Sequence, residues 1–148
     1  MSTDANRDLV RRWYEEVVNT GDVTRVAEFI APEYVEVHQN VRHPVGPEGA
    51  REHVLGVRRT YPDLHLTVER QIAEGEWVAT QVTARGTHLG VWLGMRPTGK
   101  RVEITGVNVD RVVGGRIVEH GGAANVFEAL LGIGSVRVAD PVADPDEE

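Results

Sequence analysis

Apolar residues recur at helical spacing near the start of the chain. Leu9, Val10, Trp13, Tyr14, Val17 and Val18 share one side of a helical wheel, with Arg11, Arg12, Glu15 and Glu16 opposite. The pattern predicts an amphipathic helix from about Asp4 to Asn19. Asn19-Thr20-Gly21-Asp22 stops it and opens a short helix carrying Val26, Phe29 and Ile30, which Pro32 ends. Tyr34 to His38 alternates as a short strand. Pro47 suits a first helical turn, so a third helix is expected near Glu48 to Thr60, and Pro62 blocks its continuation.

Beyond Pro62 the period becomes alternating. Leu66, Val68 and Arg70 alternate with Thr67, Glu69 and Gln71, which predicts a strand from His65 to Ile72. Ala73-Glu74-Gly75-Glu76 turns the chain into a long β-type run from Trp77 to His88. Pro97-Thr98-Gly99 precedes a strand from about Arg101 to Val113. Gly114-Gly115 reads as a tight hairpin, and the last strand runs from Arg116 to about Val126 with an interruption at Gly121-Gly122.

Helices first and hairpin-linked strands afterwards give an α+β domain with an antiparallel sheet. Helices packed on one face of a curled sheet would enclose a pocket for a small apolar ligand. The run from Arg85 to Lys100 adds to this expectation. Gly86 and Gly90 punctuate a strand, as at a bulge, a bend or a close approach to a ligand. Trp92, Leu93 and Met95 then bring large apolar groups to a loop at the pocket mouth.

The 148 residues, 41% apolar and 26% charged, fit one globular domain without repeat or internal linker. The chain has no cysteine, which excludes disulfides, thiol nucleophiles and zinc–thiolate sites. No segment approaches the roughly 20 apolar residues of a membrane span, and the polar start MSTDANRD lacks a signal core. A cytoplasmic protein with no membrane partner is expected. The net charge is −7, but Asp140, Asp144, Asp146, Glu147 and Glu148 carry five of those charges. Residues 135–148 are therefore expected to be an acidic, disordered tail on a domain spanning 1–134. The basic residues are scattered, which excludes nucleic acid as a partner.

Six segments in order carry a family resemblance: Asn19-Thr20-Gly21-Asp22, Ala31-Pro32-Glu33-Tyr34-Val35, Tyr61-Pro62-Asp63-Leu64, Gly86-Thr87-His88, Pro97-Thr98-Gly99-Lys100 and Gly115-Arg116-Ile117-Val118-Glu119-His120. In this order and spacing, from about residue 6 to residue 134, the chain resembles the SnoaL-like polyketide cyclases. The resemblance implies a nuclear-transport-factor-like cone: a strongly curved antiparallel sheet wrapped around the N-terminal helices as a cone-shaped barrel, with one deep apolar pocket. It also implies a homodimer or higher oligomer, a small apolar or aromatic substrate, and no metal or organic cofactor. The implied reaction is an intramolecular aldol ring closure of a polyketide or related aromatic ester, with an aspartate on the last strand as general acid and base.

The chain departs from the family's last-strand pattern, Glu-His-Trp, three residues, then Asp. Gly121 stands at the tryptophan position and Asn125 at the aspartate position. An amide can donate a hydrogen bond to a carbonyl or enolate oxygen but cannot exchange a proton. If Asn125 holds that place, it orients a carbonyl or satisfies the strand end. A register slip at the double glycine would offer Glu128 instead, in a segment where a solvent-facing role suits it better. The loss of tryptophan at Gly121 should enlarge the pocket.

The proton transfer must then come from elsewhere. His88 sits near the end of a long strand beside Gly90 and titrates near neutrality. The competing reading is a structural hydrogen bond across the strand or at a dimer contact. Glu119 shares strand parity with Gly121 and Asn125, so it would face the pocket as an acid or base, or else pair with an arginine such as Arg85 or Arg111. By the same parity His120 would point outward. His38 ends the first strand as a weaker candidate. Trp13, Tyr14 and Trp92 are the aromatic residues expected to touch the cavity. The six histidines show no HxH or HExxH spacing, so a metal is not expected. Two alternatives stand beside the cyclase: the same fold performing hydroxylation, dehydration or epoxide opening, and a non-catalytic small-molecule-binding dimer.

Overall fold

In the computed structural model, which describes residues 2–139, Ser2 accepts a hydrogen bond from the Ala5 amide and caps helix α1 (Thr3–Arg12). The helix continues without a break into a π-wound segment, Trp13–Val18, whose spacing shows in the 2.9 Å bond from the Asn19 amide to the carbonyl of Tyr14, five residues back. Trp13, Tyr14 and Val17 are all buried along this wider turn. Asp22 accepts the Thr24 amide and starts a 3₁₀ turn, Val23–Arg25, followed by α2 (Val26–Phe29).

Strand β1 (Ile30–His38) begins four residues before the expected Tyr34. Pro32 does not delay it, because the register shifts between Ile30 and Val35 and the proline falls inside that irregularity. Gln39 and Asn40, both at positive φ, turn the chain into β2 (Val41–Pro44), a short exposed strand that the sequence pattern missed. Helix α3 (Gly46–Thr60) carries Pro47 in its first turn. Strands β3 (His65–Glu74), β4 (Trp77–Thr87), β5 (Arg101–Val113) and β6 (Arg116–Ala124) follow, and a last short helix, α4 (Val126–Gly132), was not foreseen.

The sheet order is β2-β1-β6-β5-β4-β3. The expected α+β architecture is present, with two corrections. The sheet is not wholly antiparallel, since β1 runs parallel to β6. It is curved but not closed, because β2 and β3 end as edges instead of pairing into a barrel. Gly121-Gly122 does not interrupt β6. Gly122, at φ 147°, lies so close to β5 that a Cβ would come within 2.3 Å of the Val107 carbonyl oxygen. Only glycine lets the two strands meet there.

The interior holds two apolar clusters. Val10, Trp13, Tyr14, Val17, Phe29 and Ile30 anchor one beneath the helices; Tyr61, Leu64, Val102, Ala129 and Ile133 form the other. The loop after β4 is seated on the end of α3, where the amides of Leu89 and Gly90 both donate to the Thr60 carbonyl (3.0 and 3.1 Å). The close approach at Gly90 is therefore to α3 backbone rather than to a ligand, since a Cβ there would fall 2.3 Å from the Arg59 carbonyl oxygen. Residues 140–148, most of the expected acidic tail, lie outside the described residues. No described helix is long and apolar enough to cross a membrane.

Candidate active site

A cavity of about 410 Å³ opens between the helices and the curved sheet, within the size range that holds drug-sized ligands. Both apolar clusters contribute walls: Trp13, Tyr14 and Val54 from one, Tyr61, Leu64 and Val102 from the other. Set into these walls is a polar group comprising Tyr34, Glu36, His53, Asn108 and His120.

The centre of that group is His120. Its Nδ1 lies 2.7 Å from Asp110 Oδ1, and the second carboxylate oxygen, Oδ2, accepts the Tyr14 hydroxyl at 2.8 Å. Asp110 is fully buried behind the cavity wall, so both of its oxygens are satisfied from inside the protein. Hydrogen bonds to a buried charge contribute about 1.5–3 kcal/mol each, enough to fix the ring's orientation. Burial disfavours the charged imidazole, but Asp110, with Glu36 further off, outweighs it and holds His120 above its ordinary value. Burial first, then Asp110, pushes the Tyr14 hydroxyl far above the usual range, so Tyr14 stays a neutral donor.

A second pair lies beside the first. His53 Nδ1 is 3.0 Å from Glu36 Oε1, which also accepts the Tyr34 hydroxyl at 3.2 Å. The rings of His53 and His120 stand edge to face with centroids 6.3 Å apart. Burial raises the Glu36 carboxyl, but the hydrogen bond and charge of His53, the charge of His120 and the Tyr34 hydroxyl bring it below its ordinary value. Among the described residues no three His, Asp or Glu side chains gather as a metal-binding set.

Of the residues singled out in the sequence, Trp13, Tyr14 and Trp92 line the cavity. His120 does too, contrary to the outward orientation expected for it. Two local features defeat the parity argument. The β5–β6 register shifts between Arg111 and Val112, so Ile117 and Val118 are both buried and the alternation restarts at an even residue. The strand then ends at Ala124, so Asn125 is no longer on it.

Asn125 is an exposed residue ahead of α4, with its backbone N–H donated to the Thr105 carbonyl, and it lies outside the cavity lining. Glu128 follows as an exposed first-turn residue of α4. Glu119 turns away from the lining to pair with Arg42 at 2.8 Å, not with Arg85 or Arg111. Gly121 packs against Val37 rather than the cavity, so the absent tryptophan is not a missing wall. His38 is exposed at the end of β1. His88 is fully buried but set behind the lining, with Nδ1 on the Thr98 hydroxyl at 3.1 Å and its ring packed on Tyr61 and Trp92.

The family model for SnoaL-like polyketide cyclase matches residues 8–131. The chain belongs to the SnoaL-like polyketide cyclases. It is 34% identical over 116 residues to the aklanonic acid methyl ester cyclase DnrD of Streptomyces peucetius, covering 76% of this chain and 79% of the relative. It is 33% identical over 105 residues to the nogalonic acid methyl ester cyclase of Streptomyces nogalater, covering 69% and 78%. Among solved structures, IdmH of Streptomyces antibioticus, a proposed polyketide cyclase, superposes with a TM-score of 0.72 at 32% identity, covering 88% of this chain and 99% of that one. AclR of Streptomyces galilaeus, a proposed hydroxylase, superposes with a TM-score of 0.81 at 26% identity, covering 92% and 100%. This SnoaL-like chain is thus a cyclase-type enzyme of the curved-sheet fold, and the two methyl ester cyclases among the named relatives favour ring closure over the alternatives.

The residues that sequence reasoning missed are Asp110, Asn108, Glu36 and His53. Asn108 and Asp110 turn inward while Val107 and Val109 are exposed, an inversion of the usual alternation. A strand that buries its polar positions is itself the available signal. For His53 the signal was spacing, because Ala50, His53, Val54 and Val57 recur as one helical face and all line the cavity.

Proposed function

We propose that this enzyme closes a ring by an intramolecular aldol reaction on an aromatic polyketide methyl ester, with His120, held by Asp110, handling the proton. The observation that carries this reading is the 2.7 Å pairing of a cavity-lining imidazole with a fully buried carboxylate. The reaction removes a proton from carbon next to a carbonyl. The enolate carbon then attacks a second carbonyl, and the new alkoxide takes a proton, so the net change is an isomerisation. An imidazole can perform the exchange that the amide at Asn125 cannot. Its Nδ1 is committed to Asp110, which leaves Nε2 for the substrate and keeps one tautomer.

Asn108 supplies the other requirement. Its side chain lines the cavity on the strand that carries Asp110, and its amide suits a developing enolate oxygen. The apolar walls press the flexible chain into a reactive fold and exclude water from the enolate. Replacing His120 with Gln should lower kcat for ring closure of aklanonic acid methyl ester by about 10²–10⁴-fold. A loss smaller than threefold, followed by product chromatography, would overturn the assignment.

We also propose that the enzyme works as a homodimer through the outer face of the sheet. Trp77, Val107 and Val109 are exposed there, and Val109 is paired with Ala79 and Gly121 in adjacent strands. Equilibrium sedimentation at the mass of a single chain would count against it.

A further inference from the structure

The cavity contains one more acid–base group than a single-histidine mechanism needs. His53 and His120 come from different elements, α3 and β6, yet their rings meet edge to face with centroids 6.3 Å apart, and both line the cavity. Each is tethered through the same nitrogen, Nδ1, to its own carboxylate: Glu36 for His53, Asp110 for His120. Each carboxylate is steadied in turn by a tyrosine hydroxyl, Tyr34 on Glu36 and Tyr14 on Asp110. Two other titratable side chains line the cavity and belong to neither triad: Tyr61, and Arg85, which pairs with Glu103 at 2.9 Å. The surroundings differ in one respect. The side chain of His53 is half open to solvent at 51% exposure, whereas that of His120 is at 21% and backed by a carboxylate with no exposure.

Building on the cyclase reading above, we propose that the proton work is divided: His53 removes the carbon-bound proton and His120 protonates the new alkoxide. With Nδ1–H donated to Glu36, His53 presents the lone pair of Nε2 as a base. His120 starts as the imidazolium that Asp110 stabilises. His53 Nε2 takes the proton from the substrate carbon, and the C–H electron pair becomes the enolate. The enolate carbon forms the new C–C bond, the attacked carbonyl's π pair moves to oxygen, and that oxygen takes the Nε2 proton of His120. One histidine has gained a proton and the other has lost one. A single transfer from His53 to His120, through solvent at the open side of His53, restores the starting state. A lone histidine would have to carry the same proton from the carbon to a different atom. Two, side by side in the cavity wall and each with its own Nε2, need no such movement.

The division is tested with aklanonic acid methyl ester in D₂O, reading deuterium incorporation at the acidic carbon by mass spectrometry separately from ring closure by chromatography. His120→Gln should retain incorporation within about threefold of the wild type while ring closure falls by at least ~100-fold. His53→Gln should lose both by a similar factor. Glu36→Gln should keep the ring but shift the acidic limb of the pH–rate profile, a change that a purely structural role for Glu36 would not produce. Incorporation at the wild-type rate in His53→Gln would overturn the division and leave His120 as sole acid and base. Wild-type protein that neither exchanges nor closes the substrate would overturn the cyclase reading itself, and this inference with it.

Discussion

Two histidines near the cavity, His88 behind its lining and His120 within it, show how the partner of an imidazole sets its chemistry. His88, behind the Tyr61–Trp92 end, and His120, at the junction of β5 and β6, are both largely withdrawn from water. His88 has a neutral partner, the Thr98 hydroxyl, and its Nε2 is buried without a hydrogen bond. Its amide and carbonyl also tie the loop together, through the Lys100 carbonyl and the Gly99 amide (2.9 Å each). His120 has a carboxylate partner, and its ring is part of the cavity wall. Burial alone favours the neutral ring; a buried anion reverses that preference. The first histidine holds a loop; the second is the one proposed to hold and release a proton.

The sharpest way to break this comparison is to take the charge from Asp110. Asp110→Asn keeps the shape but removes the anion, and ring closure should fall by roughly 10²-fold or more, measured as kcat. The same variant should change the pH dependence of stability. Because the folded value of His120 is raised above its ordinary 6.5, its stabilising contribution is full below about pH 6.5 and is lost as the pH rises through the folded value. Wild-type thermal midpoints should therefore decline on the alkaline side of 6.5, and Asp110→Asn should lack that part of the decline. An unchanged alkaline profile would mean that the pair does not titrate as described.

His88→Leu is a smaller perturbation of a different kind. It removes the contacts of Nδ1 with the Thr98 hydroxyl and backbone N–H but also an unpartnered buried nitrogen, so stability should change by only about 1–2 kcal/mol in denaturant unfolding. Activity per folded molecule should stay within about threefold. A 100-fold loss with an intact fold would return His88 to the chemistry. The smallest effect is expected for Asn125→Asp. This substitution restores the residue type of the family pattern, but at an exposed position outside the cavity lining. Ring-closure rates should change less than threefold. A gain of tenfold would show that Asn125 reaches the substrate.

The helices and most strands were legible because their apolar periods are regular. Trp13 and Tyr14 were expected to touch the cavity, and both line it. The site failed where the periods break. A register shift beside Val112 and a strand end at Ala124 reversed the parity that had pointed Glu119 and Asn125 inward. Asp110 escaped notice because Val107 and Val109 look like the core side of β5, and they are its outer side. The pairing of Glu36 with His53, and of Tyr14 with Asp110, joins elements far apart in sequence and leaves no local trace.

The π-wound turn from Trp13 to Val18 has a consequence for how the chain tolerates change in length. A turn of this kind holds one residue more than an α-helical turn needs. Deleting a single residue within it would let the segment relax to ordinary winding, and because the wider turn already absorbs the surplus residue, the flanking segments would keep nearly the same rotational phase. The stretch from Thr3 to Arg12 would stay seated, with Val10 in its core cluster. A deletion inside Thr3–Arg12 has no such slack and would turn the residues before it by about 100° against the core. The turn at Gly75 between β3 and β4 is limited differently: an added Cβ would meet nothing, but the φ of 55° strains any residue other than glycine.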